Sequence, residues 1–199
     1  MVETVKYGNA AAIGFLGFGL TTVLLGLSYA EVFSGTNTML LAMFIFLGGF
    51  AEVVAGAMLW KMGDTFASLA FTAFGFFWLS LATIGITAAL GFGEAPDNVA
   101  LGSYLIVWGI FALGMAIGAL RAPRAVLALL VMLFLLFFVL GAAQLVGPTT
   151  DLGSTLITFA GWWAVINGFI GAYIAIALEV NEAMGRTVIP LFVPKSAVA

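Results

Sequence analysis

Six long apolar runs, separated by short polar breaks, are the feature that most constrains how this chain can fold. They cover roughly residues 10–28, 38–60, 65–90, 101–120, 125–145 and 156–178. A transmembrane helix needs about 20 mainly apolar residues, so each run is long enough to cross a bilayer with some tilt. The sequence therefore predicts an all-α integral membrane protein, in which residues 1–199 form a single domain built as a bundle of six transmembrane helices.

Composition supports the same class of fold. Hydrophobic residues make up 64% of the chain and charged residues only 8%, whereas soluble domains carry about 25% charged residues. The first apolar run follows a polar start and lacks a small-residue cleavage pattern, so we interpret it as a retained span. Residues 179–199 are predicted to form a polar tail, because Pro190 and Pro194 argue against continued helix.

The basic residues predict the orientation of the six spans. With this span count all six lie on one side of the membrane: Lys6, Lys61, Arg121, Arg124, Arg186 and Lys195. The loops on the other side carry acidic residues and no basic one: Glu31, Glu94, Asp97 and Asp151. Because basic loops stay in the cytoplasm, we expect both termini to be cytoplasmic in a multi-pass cell-membrane protein.

Missing residue types exclude several functions. Cysteine and histidine are both absent, which removes disulfides, thiol chemistry, histidine-ligated haem and most zinc sites. No histidine or cysteine is available to activate a serine nucleophile, so we do not expect an enzyme, and we expect no metal or cofactor. Six scattered basic residues also argue against nucleic-acid binding.

Glu52 is the one ionisable residue predicted to lie deep inside a span. It precedes Lys61 by nine residues, which is about 13 Å of helix and close to the middle of a hydrocarbon core about 30 Å thick. No span contains a lysine or arginine to pair with it. A charge at that depth costs at least about 2.5 kcal/mol and by default marks a pathway. Glu52 either carries a proton, lines a route or ties helices together.

Asn167 and the glycines of the spans allow two interpretations each. Asn167 must find a partner in the bundle or in water, so an interhelical hydrogen bond and a place on a pathway are equally compatible with it. Many of the 25 glycines lie inside spans, including the pair Gly114 and Gly118. Small residues favour close helix packing in lipid, although they also leave room beside a narrow pore.

Five segments together resemble the acetate uptake transporter family, which includes the YaaH-like succinate–acetate permease of bacteria. They are residues 9–22 (which begins Asn-Ala-Ala-Ala-Ile-Gly), 46–56 (around Glu52), 63–66 followed by 71–78, 160–162 (Ala-Gly-Trp) and 181–190. They occur in the family's order and extend over nearly the whole chain. Two departures stand out: alanines replace the two prolines of the opening motif, and the bacterial permease has a glutamine at the position of Glu52.

The resemblance implies a homo-hexamer of six-helix protomers that takes up acetate and in some members succinate, generally coupled to protons. It also implies a hydrophobic constriction midway along a route through each protomer, and the matching residues here are Phe18, Phe74 and Leu133. The family has a tyrosine at the position of Phe74, so this constriction is expected to be drier than in relatives.

Helical spacing is compatible with a polar and aromatic stripe along such a route. Phe18 shares a helix face with Thr21 and Thr22, and Phe74 shares one with Trp78. With Glu52 and Asn167, these residues are the candidates for the substrate pathway. The alternative for most of the 19 phenylalanines is plain aromatic packing.

Acetate is an anion at neutral pH, so an ionised Glu52 would repel it. The hypothesis is that Glu52 is neutral, or shares a proton, while the anion passes. It would then donate a hydrogen bond to acetate or load a proton for symport. Proton symport and an anion channel both stay open at this point, and a urea or short-amide channel is the alternative function.

Overall fold

Six helices account for most of the chain. The computed structural model describes residues 8–33 and 37–194, and within those ranges six helices are long and apolar enough to cross a membrane. They are α1 (Ala10–Tyr29), α2 (Thr38–Lys61), α3 (Thr65–Ala89), α4 (Asn98–Arg121), α5 (Arg124–Val146) and α6 (Asp151–Ala183). The predicted all-α fold with six spans is confirmed. Lys6 and Lys195, which contributed to the predicted orientation, lie outside the described residues.

Side-chain caps begin five of the helices. Each cap accepts a hydrogen bond from a backbone N–H of the first turn, and the capping residues are Asn9, Asn37, Asp64, Asp97 and Thr150. Such caps satisfy donors that have no partner within the helix. Helix α5 follows Pro123 and has no side-chain cap. Its first N–H groups donate instead to backbone carbonyls of the C-terminal segment, Arg124 N to Phe192 O at 3.1 Å and Ala125 N to Leu191 O at 3.4 Å.

The largest difference from the predicted boundaries is in α6. The apolar run predicted a span over residues 156–178 and a polar tail from residue 179, but α6 extends from Asp151 to Ala183. The Thr150 cap starts the helix before the apolar run, and the helix continues past it through Glu179 and Glu182. Hydrophobicity locates the part of a helix that suits lipid, whereas backbone hydrogen bonds and caps decide where the helix ends. The chain from residue 184 to Pro194 is not helical.

Helix α2 is not a regular α-helix along its whole length. Residues Met43–Ala51 form a π-helical stretch, and α-helical geometry resumes at Glu52. Because a π-helical turn holds more residues than an α-helical turn, it rotates the following side chains relative to the preceding ones, and such stretches are frequent at functional sites. Two glycines of this stretch face α3: Gly48 lies against the ring of Trp78 and Gly49 against Leu79.

Helices α1 and α6 make the most extensive helix–helix contact in the described part of the bundle. A Cβ added at Gly168 of α6 would lie 2.6 Å from the carbonyl oxygen of Gly19 in α1, and one added at Gly26 would lie 2.6 Å from the carbonyl oxygen of Gly161. These glycines therefore pack backbone against backbone, as expected for small residues in lipid. Gly114 differs, because nothing lies within 4 Å of a Cβ added there.

The helices surround a central space. Around the bundle, α3 contacts α2, α2 contacts α1, α1 contacts α6, α6 contacts α5 and α5 contacts α4. Side chains close the ring between α3 and α4, where Ser80 and Tyr104 share a 2.6 Å hydrogen bond and the rings of Phe77 and Trp108 meet edge to face. We call the side with Lys61, Arg121 and Arg124 the basic side, and the opposite side the acidic side.

Candidate functional site

Glu52 lies in the core and is held by one hydrogen bond. It begins the α-helical part of α2 directly after the π-helical stretch, and only 1% of its surface is exposed. The indole nitrogen of Trp78 donates to Oε1 of Glu52 at 3.0 Å. Oε2 has no hydrogen-bond partner among the described residues. One carboxyl oxygen of Glu52 therefore contributes to interhelical bonding, and the other is left for a ligand, a water or a proton.

Gly17 makes room for the Glu52 side chain. A Cβ at position 17 would lie 3.3 Å from Cγ of Glu52 and would overlap the carbonyl oxygen of Leu47. Trp78, the hydrogen-bond donor, stacks on Phe44 with ring centroids 5.1 Å apart and is 3% exposed. The carboxyl group is consequently fixed between α1, α2 and α3, with its one bonded oxygen directed at α3.

A cavity of about 280 Å³ lies on the basic side of the bundle. Its wall includes residues near the helix ends of that side, such as Asp64 and Pro123, and it reaches inward to Glu52. We call it the basic-side cavity. Apart from Glu52 and Asp64 its wall is apolar: Ala11, Phe15, Phe18, Phe66, Ala67, Ala70, Phe71, Phe74, Ala122, Pro123, Val126, Leu129, Leu130, Leu133, Ile174, Leu178 and Leu191.

A second cavity, of about 60 Å³, lies on the acidic side. We call it the acidic-side cavity. Three of its lining residues carry hydrogen-bonding groups without charge at neutral pH: Thr22, Tyr29 and Gln144. Trp78 also lines it, but its indole N–H already donates to Glu52. The remaining wall consists of leucines and phenylalanines from α1, α3, α4 and α5.

Phe18, Phe74 and Leu133 line both cavities, and no other described residue does. They come from three different helices, α1, α3 and α5, and each is about 95% buried. Phe74 is surrounded by further aromatic rings, with Phe111 edge to face at 5.3 Å and Trp108 at 6.2 Å. The three residues that the family resemblance assigned to a constriction therefore lie where the two cavities meet.

The other candidate residues are divided between the cavities and the packed core. Thr22 lines the acidic-side cavity, whereas Thr21 lies against Gly48, and neither hydroxyl has a hydrogen-bond partner among the described residues. Asn167 is fully buried in α6 with both its amide atoms unpartnered in the described part of the chain. The structure brings Glu52 and Trp78 together directly, but places Thr21 and Asn167 outside the walls of the two cavities.

Residues 1–193 match the profile of the GPR1/FUN34/YaaH family. The chain belongs to this family. The succinate-acetate/proton symporter SatP of Escherichia coli is 39% identical over 186 residues, which are 94% of this chain and 96% of that protein. The ammonia transport outward protein 2 of Saccharomyces cerevisiae is 30% identical over 188 residues, which are 89% of this chain and 64% of that protein.

A solved structure within the GPR1/FUN34/YaaH family has the same fold. The structure of the bacterial acetate channel SatP matches with a TM-score of 0.88 and 39% sequence identity, over 93% of this chain and 99% of that one. The three relatives are named as transport proteins or channels. The resemblance drawn from the five sequence segments is thereby confirmed at the level of family and fold.

Sequence reasoning did not assign polar residues to the outer ends of the two cavities. Asp64 was noted only as part of a segment that resembles the family, but it both caps α3 and lines the basic-side cavity. Tyr29 and Gln144 lie near the acidic-side ends of α1 and α5. The sequence places each close to a predicted span end, where polar side chains are ordinary, so it contains no signal that the two share a cavity.

The C-terminal segment also belongs to the site, which the sequence did not indicate. Asn181 of α6 holds it with three hydrogen bonds: its Oδ1 accepts from the backbone N–H groups of Val188 and Ile189, and its Nδ2 donates to the carbonyl of Ile189. The hydroxyl of Tyr173 donates to the carbonyl of Pro190 at 2.5 Å. Leu191 is thereby positioned as part of the basic-side cavity wall.

Proposed function

We propose that this protein moves acetate and related small carboxylates, succinate among them, across the cell membrane by a proton-linked route through each protomer. The observation that carries the proposal is the meeting of two cavities from opposite sides at Phe18, Phe74 and Leu133. Similarity to the symporter and the channel named SatP supports acetate as the substrate. Those relatives do not favour a urea or short-amide channel, and transport rather than enzymatic catalysis is the activity we expect.

The junction of the cavities acts as a hydrophobic barrier in this proposal. A constriction lined by two phenylalanines and a leucine excludes water, and a hydrated ion crosses such a constriction only by losing hydration. Phe74 contributes no hydroxyl to replace that hydration, and its nearest aromatic neighbours, Trp108 and Phe111, surround it with further rings. Free leak of acetate anions would therefore be slow.

The charges along the route favour proton coupling over a simple anion channel. Among the residues that line the two cavities, the charged types are Asp64 and Glu52, and both are acidic. No lysine or arginine of the described chain lines either cavity. An unpaired anion away from water is costly unless it meets an opposite charge or gains a proton. A carboxylate substrate that enters this route is stabilised by a proton, since the walls supply no cation.

The hydrogen bond from Trp78 defines which oxygen of Glu52 would hold a proton. The indole N–H can only donate, so Oε1 is an acceptor. A proton on Glu52 therefore resides on Oε2, the oxygen without a partner among the described residues. In that form Oε2–H can donate a hydrogen bond to a substrate carboxylate, whereas the ionised form can only accept. We assign Glu52 to the pathway as the residue that exchanges this proton.

The test is uptake of labelled acetate into proteoliposomes over a pH series, together with internal pH. Glu52→Gln preserves an acceptor for Trp78 but cannot bind or release a proton, so we expect slower uptake with an altered pH profile. Glu94→Gln is the matched control, because it makes the same chemical change at an exposed loop residue. An unchanged rate and pH profile in Glu52→Gln would remove Glu52 from coupling.

We propose a homo-hexamer with both termini in the cytoplasm, which the family resemblance and the distribution of basic residues support. Large apolar side chains such as Phe46, Phe76 and Phe169 are more than half exposed on the protomer, so lipid or further copies must cover them. Mass measurement in detergent tests the assembly. The chain has no cysteine, so Met62→Cys and Glu94→Cys can each be labelled with an impermeant maleimide on intact cells. Labelling of the Glu94→Cys protein alone is the expected result.

A further inference from the structure

The acidic-side cavity differs from the basic-side cavity in having no carboxylate in its wall. Thr22, Tyr29 and Gln144 supply its available hydrogen-bonding groups, a hydroxyl, a phenol and an amide. Thr22 is 2% exposed and its hydroxyl has no partner among the described residues. No hydrogen bond joins the side chain of Tyr29 or Gln144 to another described residue. A buried polar group without a partner, such as the Thr22 hydroxyl, is uncommon and calls for a water or a ligand. Tyr29 and Gln144 are half-buried, and their phenol and amide are free to bond the same ligand.

These three groups are complementary to a carboxylic acid and poorly suited to a carboxylate. An undissociated acid has one O–H donor and one carbonyl acceptor. The Gln144 amide offers both a donor and an acceptor, and the two hydroxyls can serve as either. An anion would gain hydrogen bonds but would lack a positive charge in an otherwise apolar space, where burying an unpaired charge is far more costly than burying a neutral polar group.

We propose that the acidic-side cavity binds the undissociated form of a short monocarboxylic acid, which hydrogen-bonds Tyr29 and Gln144 at the outer end of the cavity and then Thr22 at its inner end. The proposal rests on the proposed transport function and deepens it. It places the coupled proton on the substrate before the substrate reaches the constriction. Glu52 then receives or returns that proton on the other side of Phe18 and Phe74, where it lines the basic-side cavity.

The positions of the residues along the helices order the contacts. Tyr29 and Gln144 lie near the acidic-side ends of α1 and α5. Thr22 precedes Tyr29 by seven residues, which is about 10 Å along the helix, and follows Phe18 by one turn. The acid would meet Tyr29 and Gln144 first and Thr22 immediately before the constriction. Leu25 and Leu105 line the same cavity and would contact its methyl group.

The size of the cavity favours the smallest acids. Its volume is about 60 Å³ against about 280 Å³ for the basic-side cavity, so it has less than a quarter of that space. A two-carbon acid needs one polar site and one apolar wall. Succinic acid needs space for four carbons and must bind a second proton to become neutral. We therefore expect acetate to be preferred over succinate at this end of the route.

The pH dependence of uptake follows mainly from ionisation of the substrate, because few titratable side chains lie near the cavity. Tyr29 is the one titratable side chain that lines the acidic-side cavity, and a phenol ordinarily titrates near pH 10. The carboxylates on the same side, Glu31, Glu94, Asp97 and Asp151, are on loops or helix starts and outside the cavity wall. Glu52 does not line this cavity. It is linked to the cavity wall only by the hydrogen bond that it accepts from the indole N–H of Trp78. A carboxylic acid has a pKa of about 4, so its undissociated fraction falls on the order of tenfold per pH unit near neutrality.

The experiment measures acetate uptake into proteoliposomes at several pH values and several acetate concentrations. Flux through protein-free liposomes is subtracted, because undissociated acid also crosses lipid. Plotted against undissociated acid on the acidic side, the initial rates should fall on one saturation curve. Rates that fall on one curve only when plotted against total acetate would overturn the proposal.

Two variants test the residues themselves. Tyr29→Phe and Gln144→Met each remove a hydrogen-bonding group at similar size, and we expect KM for undissociated acid to rise about threefold to tenfold. Tyr104→Phe is the matched control, because Tyr104 bonds Ser80 and lies outside the cavity wall. KM values equal to the control in both variants would show that these polar groups bind only water, and would overturn the site.

The proposed function and the proposed site can fail separately. If the parent protein shows no acetate uptake above protein-free liposomes, the transport function is wrong. If uptake is present but follows total acetate, only the acidic-side site is wrong. Size-exclusion profiles of every variant are compared with the parent. Tyr29 and Gln144 are on different helices, so a folding defect in one variant need not affect the other. If only one of the two variants folds, that variant provides the KM comparison.

Discussion

The hydrogen bond between Trp78 and Glu52 provides a quantitative test of how the core carboxyl group is held. Both side chains are nearly fully buried, 3% and 1% exposed, and the donor–acceptor distance is 3.0 Å. Glu52→Met leaves the indole N–H without an acceptor. Trp78→Phe leaves both oxygens of Glu52 without a donor. A buried group that loses its partner costs about 1–3 kcal/mol, so each single change should lower the free energy of unfolding by about that amount.

The double variant separates the bond from the other effects of each change. With both partners apolar, no orphaned group remains at this place, so the double variant should be more stable than the sum of the single losses predicts. We expect a coupling energy of about 1–2 kcal/mol. The measurement is detergent-induced unfolding followed by circular dichroism. Glu52→Met combined with Tyr104→Phe is the control cycle, because Tyr104 bonds Ser80 and not Glu52.

Additive losses of unfolding free energy in the Trp78/Glu52 double-mutant cycle would refute this reasoning. Losses that add within about 0.5 kcal/mol would mean that the two side chains do not share a hydrogen bond. The assignment of the proton to Oε2 would then fail too, since it depends on Trp78 occupying Oε1. Glu52→Gln retains an acceptor for Trp78, so its loss of stability should be smaller than that of Glu52→Met.

Three further changes test the constriction, the helix contact and the C-terminal segment. Phe18→Ala should raise acetate leak measured at pH 8, because it removes one ring from the constriction; a leak no faster than the parent's would argue against a barrier there. Gly168→Ala should lower stability by about 1–3 kcal/mol in detergent unfolding, since its Cβ would meet α1 backbone at 2.6 Å. Gly114→Ala, whose Cβ would meet nothing within 4 Å, should stay within about 0.5 kcal/mol, and equal losses would contradict the close contact. Asn181→Ala removes three hydrogen bonds to the C-terminal segment, so trypsin should cut after Arg186 about tenfold faster, and an unchanged rate would mean that the segment is held elsewhere.

The fold was largely predictable because lipid permits few alternatives. A span must satisfy its backbone hydrogen bonds internally, so each apolar run of sufficient length becomes a helix. Five of the helices begin at a capping residue that the sequence displays, among them Asn9 and Asp97. The end of α6 was not predictable from hydropathy, because Glu179 and Glu182 continue the helix beyond the apolar run. The π-helical stretch before Glu52 has no sequence signature that hydropathy reveals.

The candidate site was predictable in part. Glu52 stands out in the sequence because a carboxyl group in an apolar run lacks a basic partner, and the structure buries it in the core of the bundle. Its partner Trp78 could not be derived, since the bond joins residues 26 apart in the chain on two helices. Tyr29 and Gln144 are still further apart in the chain, and only the arrangement of α1 and α5 around the central space brings them to one cavity.

The sequence by itself determined the class of protein, the number of spans, the capped helix starts and the presence of a carboxyl group with no charge to balance it. These are properties of single segments, which hydropathy and residue chemistry express locally. The tertiary structure decided which oxygen of Glu52 is bonded, which residues line each cavity and which side chains meet between them. Those properties depend on the rotation and spacing of neighbouring helices. Close glycine contacts such as Gly19 with Gly168, and the π-helical turn in α2, define that geometry only when the whole bundle is assembled.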